Sequence, residues 1–234
     1  MPRTSAAFSI GEALRYEVRV APFGRVGHAT MWIDGPVALQ GVATWRLRFE
    51  LEAGVGPIRG VDRTSSWVEP VAFTTLRYEK HEAHPVATHD ERVRIDPALR
   101  TWHDEVSGTG GPLAHPQPLD ELSFIYLLRL LALDEDTVRV VPRHFDAARN
   151  PVRVRALGHE VVATPAGIFR TQVIEMEVRD PRRPRGVGRL RINLDDDPCR
   201  MPVRIETRMP RLGMTTLLLT GWAHPPNYPG AVTC

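Results

Sequence analysis

The chain's densest group of possible metal ligands is the run KHEAHPVATHD, residues 80–90. Its three imidazoles and two carboxylates belong to His81, His84, His89, Glu82 and Asp90. Imidazole nitrogens and carboxylate oxygens are ligands that zinc and other divalent ions take. His81 and His84 would point to opposite faces of one strand, whereas His81 and His89 could meet across a hairpin. The alternative, which we favour, is an exposed polar hairpin that turns near Pro85.

A second candidate lies in the apolar stretch LDELSFIYLLRLLAL, residues 119–133. A guanidinium such as that of Arg129 needs a carboxylate or carbonyl partner when its helix is mostly buried. Arg129 could form a salt bridge that holds the helix to a sheet, and this is the favoured alternative. It could instead project with Tyr126 into a cavity and bind an anionic head group. Phe124 and Trp45 are then the apolar residues that we expect beside the ligand.

The remaining acidic and histidine residues give weaker indications of chemistry. Asp195, Asp196 and Asp197 could bind calcium, but three acids before a proline are more typical of a solvated turn. The pairs His159–Glu160 and His144–Asp146 stand without a nucleophile motif. The sequence holds no GxSxG, no P-loop and no GxGxxG that opens a helix. We therefore predict no catalytic residues, no cofactor and no enzymatic activity.

Composition excludes several classes of protein. The 234 residues are 42% hydrophobic and 25% charged, which is typical of a globular chain. Apolar runs are far shorter than the roughly 20 residues that cross a bilayer, so no transmembrane segment is expected. The net charge is only +2, and arginines alternate with apolar residues along predicted strands instead of forming a basic patch. Nucleic-acid binding is therefore not expected.

Two further features concern the cellular compartment. The opening MPRTSAAFSIGE has no apolar leader segment, so the protein is expected to be cytoplasmic if this N-terminus is native. A leader removed before this numbering begins is the other possibility. The cysteines, Cys199 and Cys234, could pair in an oxidising compartment. Cys234 ends a Pro-rich segment that we expect to be loose, so free thiols are favoured.

Most of the chain alternates apolar and polar residues with the period of β-strands. In residues 44–52, Trp45, Leu47, Phe49 and Leu51 fall on one face, and Arg46, Arg48, Glu50 and Glu52 fall on the other. One buried and one solvated face is the antiparallel pattern. Further strands are predicted over residues 14–20, 26–34, 58–68, 72–82, 87–95, 99–106, 137–145, 152–163, 168–179, 187–195, 201–208 and 213–222. The short Pro- and Gly-containing turns between them, at 21–24 and 164–167, favour a meander.

The apolar stretch is the chain's one convincing helix, predicted over residues 120–132 with Asp120 as its N-cap. Because it is apolar nearly all round, it must be inserted into the concave side of the sheet. The predicted fold is all-β: a long antiparallel meander curled into an open or partly closed β-barrel with one inserted α-helix. One domain is predicted over residues 8–224, followed by a Pro-rich tail at 225–234. The tryptophans of the predicted strands should line the interior.

Four segments resemble the DUF3108 family of bacterial proteins, in the order expected for that family. DELSFIYLLR (residues 120–129) resembles its DxxSxxYxxR helix, and FSIGEALRYEVRVAPFGRVGHATMWI (8–33) resembles its first hairpin, which contains a Gly-Glu pair. TPAGIFRTQVIEMEV (164–178) resembles its TPAG hairpin. LRINLDDDPCRMPVRIE (190–206) and GMTTLLLT (213–220) resemble its closing strands.

The resemblance implies an exported or surface-anchored protein of the periplasm or cell envelope. It implies no catalytic residues, and the inserted helix is similar to that of lipid-binding half-barrels by analogy of fold alone. The leading hypothesis is a non-enzymatic envelope protein that binds an apolar or amphipathic, lipid-like ligand between the sheet and the helix. The alternative is a structural or adaptor protein with a filled barrel that recruits an envelope protein partner. A metal-dependent enzyme using the His81–His89 hairpin ranks last.

Overall fold

The computed structural model describes residues 7–85, 87–180, 186–209 and 213–224. These residues form fourteen strands, one α-helix and a short 3₁₀ helix. The strands of the first half are β1 (Ala13–Val20), β2 (Gly24–Leu39), β3 (Val42–Val55), β4 (Ile58–Glu69), β5 (Thr74–His84), β6 (Ala87–Asp96), β7 (Thr101–Asp104) and β8 (Gly110–Pro112). The helix α1 (Glu121–Leu130) follows, and then β9 (Val138–Val141) and the 3₁₀ helix Ala147–Arg149. The chain continues with β10 (Val152–Thr164), β11 (Gly167–Arg179), β12 (Val187–Asp195), β13 (Pro202–Met209) and β14 (Gly213–Ala223).

All fourteen strands lie in one antiparallel sheet. Its order is β8-β7-β6-β5-β4-β3-β2-β1-β14-β13-β12-β11-β10-β9. Strands that follow one another in sequence therefore pair, except β8 and β9, and β1 also pairs with β14. The two terminal strands of the sheet, β8 and β9, are the two between which α1 lies in the chain. The predicted antiparallel meander, curled but not closed, with one inserted helix, is confirmed.

The sheet's two ends are linked across the opening by irregular chain. The Thr75 N–H donates to the Pro118 carbonyl at 2.9 Å, and the Leu119 N–H donates to the Arg143 carbonyl at 2.6 Å. The Arg143 side chain donates to the carbonyls of Gln117 at 2.7 Å and Phe73 at 2.8 Å. These bonds fix the entry of α1 against the start of β5. Residues 107–118 lead into the helix and contain the short strand β8.

The helix is shorter than predicted, because Leu131 has extended backbone angles and ends it. Its N-terminus is the predicted one. The Asp120 carboxylate accepts from the backbone of Leu122 and Ser123, and the Ser123 hydroxyl accepts from the Asp120 N–H, which forms a capping box. Leu122, Phe124, Tyr126, Leu127 and Leu128 are all buried in the main core. The helix is therefore surrounded by protein, as its apolar sequence requires.

The core lies on the concave side of the sheet. Leu14, Tyr16 and Val18 alternate inward from β1 and are at most 2% exposed, which confirms the period-two pattern there. Trp45 and Trp102 pack against the core, as predicted for tryptophans that line the interior, but Trp32 and Trp67 do not. Trp32 and Trp67 lie on the convex face, where the guanidinium carbons of Arg48 and Arg46 stand 4.3 and 4.7 Å above their rings. The stacked arginines shield these rings from solvent on the face of the sheet away from the core.

Two further observations bear on the sequence predictions. Among the described residues, no helix is both long and apolar enough to cross a membrane. The predicted tail, residues 225–234, lies outside the described residues.

Candidate functional site

A polar network holds the first turn of α1 to the sheet. The Asp120 carboxylate accepts from the hydroxyl of Ser66 on β4 at 2.7 Å and from that of Thr75 on β5 at 2.8 Å. The Thr75 and Ser123 hydroxyls lie 3.1 Å apart. All four residues are fully buried, at 0% exposure. A buried carboxylate with this many donors is well satisfied, so the network fixes where the helix begins.

Arg129, near the other end of α1, forms a buried ion pair with Glu12. Its Nη1 donates to Glu12 Oε1 at 2.6 Å and its Nη2 donates to Glu12 Oε2 at 2.8 Å. The guanidinium also donates to the carbonyls of Ala7 at 2.9 Å and of Cys199 at 2.9 and 3.2 Å. Burial alone would lower the pKa of Arg129, but the Glu12 carboxylate outweighs burial and raises it. The salt bridge favoured from the sequence is present, and the Gly-Glu pair of the first hairpin supplies its carboxylate.

Residues 7–12, here called the N-terminal strap, lie against this end of the helix. Ala7, Phe8, Ser9 and Glu12 are each at most 6% exposed. The strap joins β2 only at its last residues, where the Gly11 N–H donates to the Ile33 carbonyl and the Ile33 N–H donates to the Glu12 carbonyl. Gly11 has a φ of 89°, a conformation that favours glycine, so the strap turns into β1 at this point. Sequence reasoning missed the strap because it has no strand or helix period.

Phe8 of the strap sits in an aromatic cage. Its ring centroid lies 5.0 Å from that of Tyr126, 6.0 Å from that of Phe73 and 6.2 Å from that of Trp45. The Arg129 guanidinium carbon lies 4.8 Å from the Phe8 ring centroid and 5.5 Å from that of Tyr126. The cage therefore combines three aromatic rings with one cation, and its centre is occupied by a side chain of the same protein.

Three of the four residues predicted to contact a ligand are thus brought together: Tyr126, Arg129 and Trp45. Phe124 is not among them, because it points to the other side of α1 and stacks on His144 with the ring centroids 6.3 Å apart. Tyr126 and Phe124 are fully buried, and Trp45 is half-buried. We call the surroundings of Phe8, formed by Trp45, Phe73, Tyr126 and Arg129, the helix seat.

The helix seat has unused hydrogen-bonding capacity. The Tyr126 hydroxyl is buried and has no hydrogen-bond partner among the described residues. Burial, and then the nearby Glu12 carboxylate, raise the pKa of Tyr126, so its hydroxyl stays protonated as a donor. His224 also faces the ion pair, with its Nδ1 3.5 Å from Glu12 Oε2. Burial lowers the pKa of His224.

An open groove borders the strap on the convex side. Its volume is about 420 Å³, and Gly11, Glu12, Trp32, Asp34 and Glu50 are among the residues that line it. Glu12 borders this groove, while its side chain is fully buried in the ion pair with Arg129.

Asp195 corrects one expectation about the acidic run. Asp196 and Asp197 are exposed, but Asp195 is only 2% exposed and accepts from the Met201 N–H at 2.7 Å. Burial raises the pKa of Asp195 to about 7. The predicted solvated turn is therefore confirmed for Asp196 and Asp197 and is wrong for Asp195.

The histidine hairpin does not bring its imidazoles together. Asp90 stands opposite His81 and Glu82 stands opposite His89, so His81 and His89 are one register position apart and point to opposite faces. His81 Nδ1 lies 2.6 Å from Asp90 Oδ1, and His89 Nε2 lies 2.8 Å from Glu91 Oε1. The less favoured alternative, in which His81 meets His89 across the hairpin, is therefore wrong. No cluster of three or more metal-binding side chains, with His81, His84 and His89 or any others, forms among the described residues.

A second polar cluster, not foreseen from the sequence, lies at the opening of the sheet. Arg149, on the 3₁₀ helix, contacts Glu121 and lies 3.5 Å from Glu91. His144 is fully buried, with its Nε2 3.6 Å from Glu121 Oε1, while its Nδ1 accepts from the Asp146 N–H at 3.1 Å. Burial lowers the pKa of His144 to about 4, so the imidazole is neutral. The cluster joins β6, the helix start and the segment after β9 by ionic contacts.

Cys199 is disulfide-bonded, so the preference for a free thiol is wrong for this residue. That preference rested on the looseness expected of the terminal segment, whereas disulfide formation depends on where the two sulfurs meet. Cys234 lies outside the described residues. The Cys199 carbonyl is one of the acceptors of Arg129, so the disulfide-bonded loop is tied directly to the helix seat.

One similar solved structure supports the fold, and two others match with lower scores. A beta-barrel-like protein from Brucella abortus, of the domain of unknown function DUF1849, has a TM-score of 0.63 at 7% identity, covering 94% of this chain and 100% of that one. A lipoprotein candidate from Parabacteroides distasonis scores 0.34 at 11% identity, covering 93% and 98%. A candidate exported protein with a YmcC-like fold from Bacteroides fragilis scores 0.33 at 12% identity, covering 92% and 97%.

A search of curated proteins gave no match. The family model described as "Protein of unknown function (DUF3108)" matches residues 15–220. That range contains the capping Asp120 and Ser123, the cage residue Tyr126 and the ion-paired Arg129, and it covers most of the chain. The chain belongs to the DUF3108 family.

Proposed function

We propose that the protein is a non-enzymatic component of the bacterial cell envelope that binds an amphipathic, lipid-like molecule between its curved sheet and α1. The observation that carries the proposal is the helix seat. There, one buried guanidinium and three aromatic rings surround Phe8, with an unused hydroxyl donor beside them. Small-molecule sites are mostly apolar and contain a few convergent polar groups, and the helix seat has this character.

The chemistry of the helix seat suits an anionic amphiphile. A guanidinium binds carboxylate or phosphate oxygens through two parallel hydrogen bonds, as Arg129 does with Glu12. Aromatic rings give an acyl chain an apolar surface with well-defined shape. A neutral hydrocarbon would leave the arginine without a role in binding.

Location in the envelope is part of the proposal. It rests on the family resemblance and on the disulfide of Cys199, because disulfides persist in oxidising compartments such as the periplasm.

A second candidate function is recruitment of a protein partner by a filled barrel. It is favoured by β9, a terminal strand of the sheet whose Val138 and Val140 are 55% and 54% exposed. A terminal strand with apolar side chains can pair with a strand from another chain. Under this alternative the helix seat only holds α1 in place. The two functions can be distinguished by experiment.

The decisive experiment is native mass spectrometry of the protein purified without detergent from its own host, followed by lipid extraction. We expect a stoichiometric amphiphile that is absent from the Arg129→Leu variant and retained by the matched surface variant Arg189→Leu. If protein exposed to total envelope lipid carries none, the lipid-binding proposal is wrong. If Arg129→Leu loses stability while its lipid content is unchanged, the arginine is structural only. A Val138→Asp variant that loses a co-purifying protein would favour the second function.

A further inference from the structure

We propose that the N-terminal strap is an internal occupant of the ligand site, and that the ligand is an anionic amphiphile with a single acyl chain. This inference rests on the proposed function and makes it more specific. Phe8 supplies an apolar group to the cage, and Glu12 supplies a carboxylate to Arg129. The strap therefore presents the two chemical features of such an amphiphile, at the positions that its chain and head would take.

The contacts that hold the strap differ along its length. Gly11 and Glu12 are paired with Ile33 through backbone hydrogen bonds. Within the described part of the chain, the backbone of residues 7–9 is bonded only by Arg129 at the Ala7 carbonyl and by the Glu12 N–H at the Ser9 carbonyl. Phe8 is thus held by its aromatic contacts more than by its backbone. Release of residues 7–9 about Gly11 would leave the pairing of β1 with β2 intact.

The Glu12 side chain must leave Arg129 when a ligand binds. Release of residues 7–9 would uncover the ion pair, so that the Glu12 side chain, which is 0% exposed while the strap is in place, can rotate away from Arg129. The ligand head would take the place of this carboxylate on Nη1 and Nη2, and the Tyr126 hydroxyl would donate to it. The charge of the site is unchanged by this exchange, since one anion replaces another. A cationic head group would meet Arg129 unpaired and is excluded by repulsion.

With an internal occupant, the apparent affinity of a ligand is its intrinsic affinity multiplied by the fraction of molecules in which the site is free. Weakening the occupant should therefore strengthen ligand binding, which is the opposite of what removal of a ligand contact does. Phe8→Ala removes the ring that fills the cage, and Phe8→Leu removes part of it. The matched control is Phe23→Ala, because Phe23 is 61% exposed in the β1–β2 turn.

The test is calorimetric titration with dodecanoate, dodecanol and dodecylamine, after circular dichroism has shown that each variant is folded. Dodecanoate should bind Phe8→Ala about tenfold or more tightly than wild type, with Phe8→Leu between the two and Phe23→Ala unchanged. Dodecylamine should bind at least about tenfold more weakly than dodecanoate. A photoreactive dodecanoate should cross-link to the peptide that contains Tyr126.

The outcomes separate the two proposals. If wild type and Phe8→Ala bind dodecanoate equally, the strap is not an occupant, although lipid binding stands. If the alcohol and the amine bind as well as the carboxylate, the assignment of the head group to Arg129 is wrong. If no folded variant binds any of the three probes, the lipid-binding function itself is overturned.

Discussion

Removal of one partner of the Arg129–Glu12 pair should be among the most damaging single changes to the fold. Both residues are 1% exposed, and their side chains are bonded at 2.6 and 2.8 Å. In Arg129→Met the Glu12 carboxylate stays buried without its partner, and the carbonyls of Ala7 and Cys199 lose their donors. Loss of one member of a buried pair costs about 3–5 kcal/mol of unfolding free energy, and we expect a value in this range.

The double variant tests whether this cost arises from the unpaired charge. Replacing both residues, as in Arg129→Met with Glu12→Leu, removes the buried charges together. The two orphaned carbonyls still cost about 1–3 kcal/mol, so the double variant should be less stable than wild type but more stable than Arg129→Met. We expect a coupling free energy of about 2 kcal/mol or more between the two positions.

Urea unfolding, followed by tryptophan fluorescence with the disulfide kept intact, gives these free energies. The exposed pair Arg189–Glu177 is the matched control, since its side chains are 70% and 26% exposed at 2.7 Å. Arg189→Met should change stability by no more than about 1 kcal/mol. The reasoning is refuted if Arg129→Met costs no more than this control, or if the two single changes are additive.

The remaining predictions concern pH. Two buried groups change the free energy of unfolding in opposite directions as pH falls. The folded pKa of His144, about 4, lies below its ordinary value of 6.5, so its contribution to stability is lost as pH falls between them, by about 3 kcal/mol. The folded pKa of Asp195, about 7, lies above its ordinary 3.8, so its contribution is lost as pH rises through 7, by on the order of 3 kcal/mol between pH 5 and 8. At pH 8, Asp195→Asn should therefore be more stable than wild type. Below pH 6.5 it should lose stability through protonation of His144, because the opposing contribution of Asp195 is absent. His144→Phe should show the reverse, with urea midpoints rising steadily as pH falls from 7 to 4. Midpoints of both variants that parallel the wild-type profile would contradict these assignments.

Local sequence pattern was sufficient to predict most of the architecture. Alternation of apolar and polar residues predicted the strands, and Pro and Gly predicted their turns. An apolar stretch capped by Asp120 predicted the helix. These signals are local, because a strand period or a capping residue acts within a few residues of itself. The errors at the ends of elements, such as a helix that ends at Leu130, come from backbone geometry that periodicity does not record.

The site depended on contacts that no local pattern contains. Arg129 and Glu12 are 117 positions apart, and the sequence predicted the need for a carboxylate without identifying it. Phe8 was taken only as the start of the domain, because a strap without periodicity carries no sign of its burial. The separation of His81 from His89 depended on a register set by the whole β5–β6 hairpin. In each case tertiary placement, not residue type, decided the outcome.

The spacing of Asp120, Ser123, Tyr126 and Arg129 explains why these residues serve different partners. At 3.6 residues per turn, the step from Asp120 to Arg129 is about two and a half turns, so their side chains leave opposite sides of the helix. Residues that follow one another at intervals of three therefore spiral around α1 instead of forming a stripe. A helix resting on a sheet would need a stripe, whereas a helix enclosed by the chain has partners in every direction. Asp120 accordingly binds β4 and β5, while Arg129 binds the strap and the Cys199 loop. Because the end with Asp120 is fixed to sheet strands, whereas residues 7–9 at the end with Arg129 have few backbone hydrogen bonds, the second end is the one through which the proposed ligand would enter.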